Sequence, residues 1–289
     1  MIYAPIIYAL AVNVVCIVIL SYKFMLVLHY MGEKLTISYS IAIVSLGQVL
    51  SYITPLNLGV LAVRSVSGKI LANVEPKKMV FATLFDQWLE LLAQVVILAL
   101  LMVSVGFKAL KFGFGYSAVL FVLAIIMMAF IFYKPERSIN FILKFKSLIP
   151  GFLRKILRRK INSKDIVGFS EQFESYKLLE RKKILVLLSV YIIFVLVYPL
   201  IFYLLLDIFS ISLSYINSFI FVWLSYILGR ISGIPGGLGA RDVSLAGLIT
   251  AQGIGIGSVV MIIFLYRIVT MLPSFIIGIP LLFYCKNEK

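Results

Sequence analysis

The chain has 289 residues, of which 62% are hydrophobic and 13% charged, and its formal net charge is +15. A soluble domain of this length leaves roughly a quarter of its unfolded surface in contact with water, so it cannot hide that much apolar area. The composition therefore excludes a soluble globular protein and predicts an all-α fold, that of a polytopic helical membrane protein. Because there is one histidine and the two cysteines lie at opposite ends, no metal site, disulfide or cofactor is expected.

Apolar segments follow one another along most of the chain. Two of them fall below the ~30 Å of a hydrocarbon core at about 1.5 Å per residue, so they predict broken or re-entrant helices. The others predict about seven full transmembrane helices. In chain order the segments are 2–28, 36–54, 56–73 (short), 79–106, 112–133, 184–206, 208–229, 242–254 (short) and 256–285.

The polar stretch 134–183 carries 14 of the 27 Lys and Arg residues against five acids, and the positive-inside rule places it in the cytoplasm. Within it, residues 152–161 (FLRKILRRKI) separate apolar and basic side chains onto two helical faces. This pattern predicts an amphipathic helix on the membrane surface rather than a nucleic-acid site. The sequence thus predicts a single membrane domain, 1–289, with a first repeat and linking helix in 1–133, this basic loop, and a second repeat in 184–289.

The remaining lysines test the topology. If both short segments cross the membrane, Lys23 and six other lysines face the cytoplasm, and only Lys108 and Lys111 lie outside. If both segments are re-entrant, Lys34 and the two C-terminal lysines move outside. The first arrangement follows the positive-inside rule better, so it predicts nine segments with an external amino terminus.

An internal repeat is indicated by two similar helix breaks. Residues 55–59 (PLNLG) and 235–239 (PGGLG) share the pattern PxxLG, and an arginine follows each, Arg64 and Arg241. Each break follows a long apolar segment and precedes a short one and then a long one. Segments interrupted by Gly and Pro at corresponding places point to a midplane binding site in transporters with inverted repeats.

Three charges lie deep inside predicted spans: Asp86 and Glu90, four residues apart on one helix face, and Arg267. Each costs ~2.5–3.5 kcal/mol at the bilayer centre, so they should face the interior and neutralise one another. We therefore expect Arg267 within salt-bridge reach of Asp86 or Glu90. Two interpretations stay open, a buried ion-pair clamp between the repeats and a polar cavity that faces a ligand.

Several chemistries find no motif in the sequence. It contains no GxxxxGK[ST], no HExxH and no Asp-x-Asp pair, and its GGLG does not have the GxGxxG spacing after a strand. Nucleotide-driven pumping, zinc chemistry and metal-dependent sugar transfer are therefore not favoured. No base marks any serine or tyrosine as a nucleophile, so no catalytic residue is predicted.

The C-terminal part resembles the signature of a known family, the lysylphosphatidylglycerol synthase transmembrane-region family, also called the flippase-like domain family. That signature runs roughly PGGLGxRE, a short segment of small residues, then LxYR and a proline-containing helix. Asp242 stands where the family more usually has glutamate. The matching residues are Pro235, Gly236, Gly237, Leu238, Gly239, Arg241, Tyr266, Arg267 and Pro273.

Residues 54–65 (TPLNLGVLAVRS) resemble the other motif of the family, approximately TPgxxGexxR, although Leu61 replaces its acid. Asp86 and Glu90 resemble its acidic pair. The resemblance implies membrane-embedded handling of lipids in the cell membrane of a prokaryote. Family members combine a similar region with a soluble aminoacyltransferase or glycosyltransferase domain, and this chain carries neither, so chemistry on the lipid would need another protein.

The resemblance and the charge pattern lead to two hypotheses. The first is a translocase for an anionic lipid or a polyprenyl-phosphate-linked precursor. Glycines would let the backbone approach the headgroup, arginines would bind the phosphate and acids would orient them. The alternative is a non-transporting scaffold or partner of a lipid-modifying glycosyl- or aminoacyl-transferase. The expected substrate-binding residues are Pro55, Gly59, Arg64, Asp86, Glu90, Pro235, Gly236, Gly237, Gly239, Arg241, Asp242 and Arg267.

Overall fold

A computed structural model describes residues 3–52, 54, 58–105, 181–232 and 239–287. Within these ranges the regular secondary structure is helical and contains no strand, which confirms the predicted all-α fold. A 3₁₀ turn at Asp207–Phe209 separates the sixth and seventh helices. The helices are α1 (Tyr3–Tyr30), α2 (Ile37–Ser51), α3 (Leu58–Ala72), α4 (Pro76–Val105), α5 (Arg181–Val197), α6 (Pro199–Leu206), α7 (Tyr215–Ile231), α8 (Ala240–Thr250) and α9 (Ile256–Asn287).

Four stretches of the described chain are long and apolar enough to cross a membrane. They are Tyr3–Tyr30, Pro76–Leu98, Leu185–Phe209 and Ile256–Leu281. α3 and α8, with 15 and 11 residues, are the short helices expected after the two breaks. α2 and α7, with 15 and 17 residues, are shorter than the segments predicted there: the first break ends α2 at Ser51, and α7 begins only at Tyr215.

The chain divides into two compact units. One comprises Met1–Lys111 together with Leu185–Lys289, and the other comprises Phe112–Ile184. The described parts of both predicted repeats, from Leu185 onward in the second, belong to the first unit. The predicted span at 112–133 and the predicted amphipathic helix at 152–161 lie outside the described residues.

The repeat appears in the order and packing of the helices. α2, a break, α3 and α4 correspond to α7, a break, α8 and α9. The first helix of each set packs against the last helix of the other, α2 against α9 and α7 against α4. A Cβ on Gly278 of α9 would lie 2.9 Å from Ser45 Cβ of α2, so a glycine is needed for this approach. The inverted orientation of the two repeats stays a prediction.

Pro199, Pro273 and Pro280 lie within spanning stretches, and at the first two a side chain donates to the carbonyl that the proline leaves without a helical donor. Asn13 Nδ2 donates to the carbonyl of Val269 at 2.8 Å, four residues before Pro273. Trp223 Nε1 donates to the carbonyl of Val195 at 2.9 Å, four residues before Pro199. A carbonyl without a donor is costly in a membrane, so these bonds make the kinks tolerable.

Candidate functional site

The first break is closed by one threonine. The Thr54 hydroxyl donates to the Leu50 carbonyl at 2.8 Å and accepts the Gly59 N–H at 2.8 Å, so it joins the end of α2 to the start of α3. A Cβ on Gly59 would lie 2.8 Å from the Leu50 carbonyl oxygen, which only glycine avoids. Gly59 therefore shapes the break. Pro55 lies outside the described residues.

The second break ends at Gly239, the N-cap of α8. Its φ of +87° lies in the region that favours glycine, and its N–H donates to Asp242 Oδ2 at 3.2 Å. A carboxylate at this place accepts an N–H that the helix itself cannot satisfy. The predicted site residues Pro235, Gly236 and Gly237 lie outside the described residues.

Arg267 binds the carboxylate of Asp242 and not the acids of α4. Its Nε and Nη2 donate to the two carboxylate oxygens at 2.8 and 2.9 Å, a two-pronged ion pair between α9 and the first turn of α8. The expected partner of Arg267, Asp86 or Glu90, is therefore wrong. Arg267 binds an acid on the neighbouring helix of its own predicted repeat. Other cations neutralise the two acids of α4.

Asp86 lies at the centre of a buried network. Arg64 Nη1 approaches its Oδ2 at 2.8 Å, and Lys23 Nζ approaches its Oδ1 at 3.3 Å. The Tyr191 hydroxyl donates to the same Oδ1 at 2.7 Å. The carboxylate is only 1% exposed, so its charge depends on these partners.

Glu90 joins the same network one turn further along α4. Lys23 Nζ donates to its Oε2 at 3.0 Å, and Arg230 Nη2 donates to its Oε1 at 2.8 Å. Lys23 is fully buried and bridges Glu90 and Asp86, with its ammonium 4.1 Å from the centroid of the Tyr191 ring. The expectation that Lys23 faces the cytoplasm is thus wrong. α1 continues for seven residues beyond it, so Lys23 lies within the helix and packs inward.

Arg241 has a different environment. It is 5% exposed, and its Nη2 donates to the hydroxyls of Tyr266 at 3.1 Å and Tyr198 at 3.4 Å. Its guanidinium carbon lies 4.8 Å from the Tyr226 ring centroid. Over the part of the chain that the structure describes, no carboxylate lies within salt-bridge distance of Arg241. A cage of tyrosines therefore holds a buried cation without a counter-charge.

A cavity of about 380 Å³ brings several of these groups together. Its lining includes Arg64, Asp86 and Glu90 from the first repeat, and Arg230 and Arg241 from the second. Its aromatic wall consists of Tyr52, Trp88, Phe194, Tyr198, Trp223 and Tyr226.

The cavity unites only part of the predicted site. Arg64, Asp86, Glu90 and Arg241 line it, whereas Gly59, Gly239, Asp242 and Arg267 do not. The latter four shape the two breaks or join α8 to α9, as described above. The prediction that Asp242 and Arg267 line the same cavity as Arg64 and Arg241 is therefore wrong, because these two side chains bind each other between α8 and α9.

Sequence reasoning missed Lys23, Arg230 and the tyrosine cage. Lys23 is a charge within an apolar run, and this signal alone could have marked it as intramembrane. Arg230 directly follows the predicted segment 208–229 and precedes the glycine-rich break, so it stands opposite Arg241 across that break. Tyr266 belongs to the LxYR motif, whereas Tyr198 and Tyr226 carry no comparable signal, because aromatic residues are frequent throughout the chain.

Two comparisons with known proteins bear on identity. No curated protein matches the chain. The family model for the lysylphosphatidylglycerol synthase TM region matches residues 3–278, which include both breaks, the acidic pair and all the lining residues of the cavity. The chain therefore belongs to the lysylphosphatidylglycerol synthase TM region family and is a multi-pass membrane protein of a kind associated with lipid handling.

Proposed function

We propose that this protein is a translocase in the cell membrane of a prokaryote, and that it moves an anionic lipid or a polyprenyl-phosphate-linked precursor between leaflets. The observation that carries the proposal is Arg241, a buried cation on the cavity wall with tyrosine partners only. The headgroup would bind in the cavity between the two broken helices.

A buried charge without a counter-charge is costly in a membrane, because neither lipid nor apolar side chains solvate it. A guanidinium presents a planar fork of donors that matches the oxygens of a phosphate. The hydroxyl of Tyr198, which lines the cavity, accepts a bond from Arg241, and a hydroxyl can also donate its own proton to an anion. This chemistry supports a phosphate-bearing guest.

The size of the cavity fits a headgroup. Ligand cavities are typically about 300–1,000 Å³, and this one, at about 380 Å³, lies near the lower end. Such a volume takes a phosphate and its immediate substituents, whereas acyl or prenyl chains would stay in the bilayer. Exposed apolar side chains on α9, among them Val260, Phe264 and Ile276, give the protein a surface for lipid chains.

The experiment is a transport assay with the purified chain in liposomes. A fluorescent anionic phospholipid is placed in both leaflets, and a membrane-impermeant quencher reports its movement; a fluorescent phosphatidylcholine serves as the lipid control. We expect movement of the anionic lipid in the parent. In Arg241→Ala we expect it to slow about tenfold or more, because hydrogen bonds to charged groups contribute about 1.5–3 kcal/mol.

The matched control is Lys69→Ala, which removes an exposed cation from the last turn of α3, away from the cavity lining. This variant should transport as the parent does. If the parent moves no lipid, or if Arg241→Ala moves it at the parent's rate, the translocase proposal fails. A non-transporting partner of a soluble glycosyl- or aminoacyl-transferase would then take its place.

A further inference from the structure

The buried network around the cavity holds more positive than negative charge. Lys23, Arg64 and Arg230 share the carboxylates of Asp86 and Glu90, so three cations face two acids. Arg241 adds a fourth cation with tyrosine partners only, as described above. Among the described residues the network therefore has two positive charges in excess. The break residues outside that description, 53, 55–57 and 233–238, contain no acid.

Two cations of the network flank the second break. Arg230, which also binds Glu90, lies in the last turn of α7, and Arg241 lies in the first turn of α8. Their guanidinium carbons lie 4.7 and 4.8 Å from the centroid of one ring, that of Tyr226. Glu90 binds Arg230 at 2.8 Å but no acid of the described chain pairs with Arg241, so an anion between the two arginines would further reduce their repulsion. Both arginines line the cavity.

Unused donors in the same network strengthen the case. Arg230 Nε and Arg64 Nε are buried, and neither has a hydrogen-bond partner in the described part of the chain. Buried donors are normally satisfied, so each such group requires an explanation. Both belong to residues on the cavity wall, where a ligand's oxygens would supply acceptors.

We propose that the cavity selects a doubly charged phosphate headgroup, a phosphomonoester or a diphosphate, over a singly charged phosphodiester. This inference rests on the proposed function, and it names the substrate class of the same site. A phosphomonoester carries about −1.5 to −2 charges at pH 7 and three terminal oxygens. It can therefore offset both excess charges of the network, whereas a diester offsets only one of them.

The test compares two lipids with identical acyl chains, phosphatidic acid as the monoester and phosphatidylglycerol as the diester. The full chain is placed in phosphatidylcholine nanodiscs at pH 7.5, and binding is measured by native mass spectrometry. We expect phosphatidic acid to bind about tenfold more tightly, because one additional charge pair in a poorly hydrated cavity has an effect of at least this order. This comparison needs no substitution, so it does not depend on the folding of any variant.

Two variants locate the selectivity. Arg230→Gln and Arg241→Gln should each lower the preference for phosphatidic acid to about threefold or less, because each removes one of the two excess positive charges of the network. Lys69→Gln, an exposed position outside the cavity lining, should keep the full preference. A preference that is unchanged in both arginine variants would place the selectivity elsewhere and overturn the assignment to this pair.

Glycerol 3-phosphate separates a lipid headgroup from a free phosphate ester. At the concentrations of the lipid it should leave phosphatidic acid bound; equal displacement would overturn the lipid assignment in favour of a soluble ester. Equal binding of the two lipids to the parent would overturn the selectivity and leave the translocase proposal intact. If neither lipid binds and the liposomes show no transport, both proposals fail.

Discussion

The two broken-helix regions place an arginine in similar packing but give it different hydrogen-bond partners. In each, an arginine on the short helix stacks on an aromatic ring and faces a glycine of the preceding helix. Arg64 lies 4.3 Å from the Phe24 ring and faces Gly47, and Arg241 lies 4.8 Å from the Tyr226 ring and faces Gly229. The difference is the counter-charge.

In the first region Arg64 binds the Asp86 carboxylate at 2.8 Å, so an acid of the protein neutralises its charge. In the second region Arg241 bonds only to tyrosine hydroxyls. Removing one partner of a buried ion pair destabilises the fold, because the other charge stays buried without a counter-charge. Removing a cation that has no carboxylate partner leaves no buried acid unpaired. The comparison therefore predicts that the fold depends more on Arg64 than on Arg241, and it agrees with the ligand-binding role proposed for Arg241.

The largest effect should come from Arg64→Ala. It leaves Asp86 in the membrane with Lys23 and Tyr191 as its remaining partners, and we expect a loss of about 3 kcal/mol or more in the free energy of unfolding. Arg241→Ala should lose about 1 kcal/mol or less by the same reasoning, because no acid is orphaned. Denaturant unfolding of both variants in detergent measures the difference. Equal losses would remove the distinction between the two regions.

A second prediction compares the buried network with a surface pair. Lys23→Met removes the cation that bridges Asp86 and Glu90, although each acid keeps an arginine, and we expect a loss of about 2–3 kcal/mol in unfolding free energy. The control is Lys78→Met, since Lys78 binds Glu33 at 2.6 Å with 38% of its side chain exposed. Its loss should stay below about 1 kcal/mol. If the two variants unfold alike, the network does not hold α1 to α4 as described.

The two facing glycines sharpen the comparison further. A Cβ at Gly229 would lie 2.8 Å from Arg241 Cβ, whereas a Cβ at Gly47 would lie no closer than 3.4 Å to Arg64. Gly229→Ala should thus cost about 1–3 kcal/mol by overpacking and displace Arg241. Gly47→Ala should be neutral or stabilising by up to about 1 kcal/mol, since alanine favours a helix. Thermal unfolding and the transport assay would report both effects, and a more damaging Gly47→Ala would contradict the packing.

The smallest effect is expected from Asp242→Asn. The Asp242 and Arg267 side chains are 27% and 11% exposed, and their ion pair lies outside the cavity lining. The amide keeps one oxygen that can accept from Arg267 or from the Gly239 N–H, so we expect a loss of about 1 kcal/mol, the contribution of one hydrogen bond. Transport of the anionic lipid should remain near the parent's rate. If Asp242→Asn lost transport while its unfolding free energy stayed unchanged, Asp242 would have to be assigned to the binding site, and this prediction would be wrong.

The sequence allowed the breaks and the acids to be predicted, because proline, glycine and charge are rare and costly inside apolar runs. Pro55, Gly59 and Gly239 marked the breaks, and Asp86 and Glu90 marked the polar interior of α4. The partners could not be predicted. Which cation reaches an acid depends on the rotation and packing of helices that are distant in sequence, so Arg267 was assigned to the wrong acids.

Depth was the other quantity that the sequence left open. Lys23 lies five residues from the end of its predicted segment and was placed at the surface, although α1 extends to Tyr30 and buries it. Arg230 lies just beyond the predicted end of the segment 208–229, where charged residues commonly flank a transmembrane helix. Segment boundaries predicted from hydropathy carry an error of a few residues. At about 1.5 Å per residue, this error in depth decides whether a cation contacts water or is buried.

If an anionic lipid binds at the tyrosine cage around Arg241, as proposed, the stability of the protein will depend on that lipid. Any molecule that binds the folded state alone raises the free energy of unfolding, by about 2.7 kcal/mol at a concentration of 100 times its dissociation constant. Protein stripped of anionic lipid should accordingly melt at a lower temperature than protein that retains it. The rise in melting temperature on adding a lipid can then be used to rank candidate headgroups, without a fluorescent label or a transport assay.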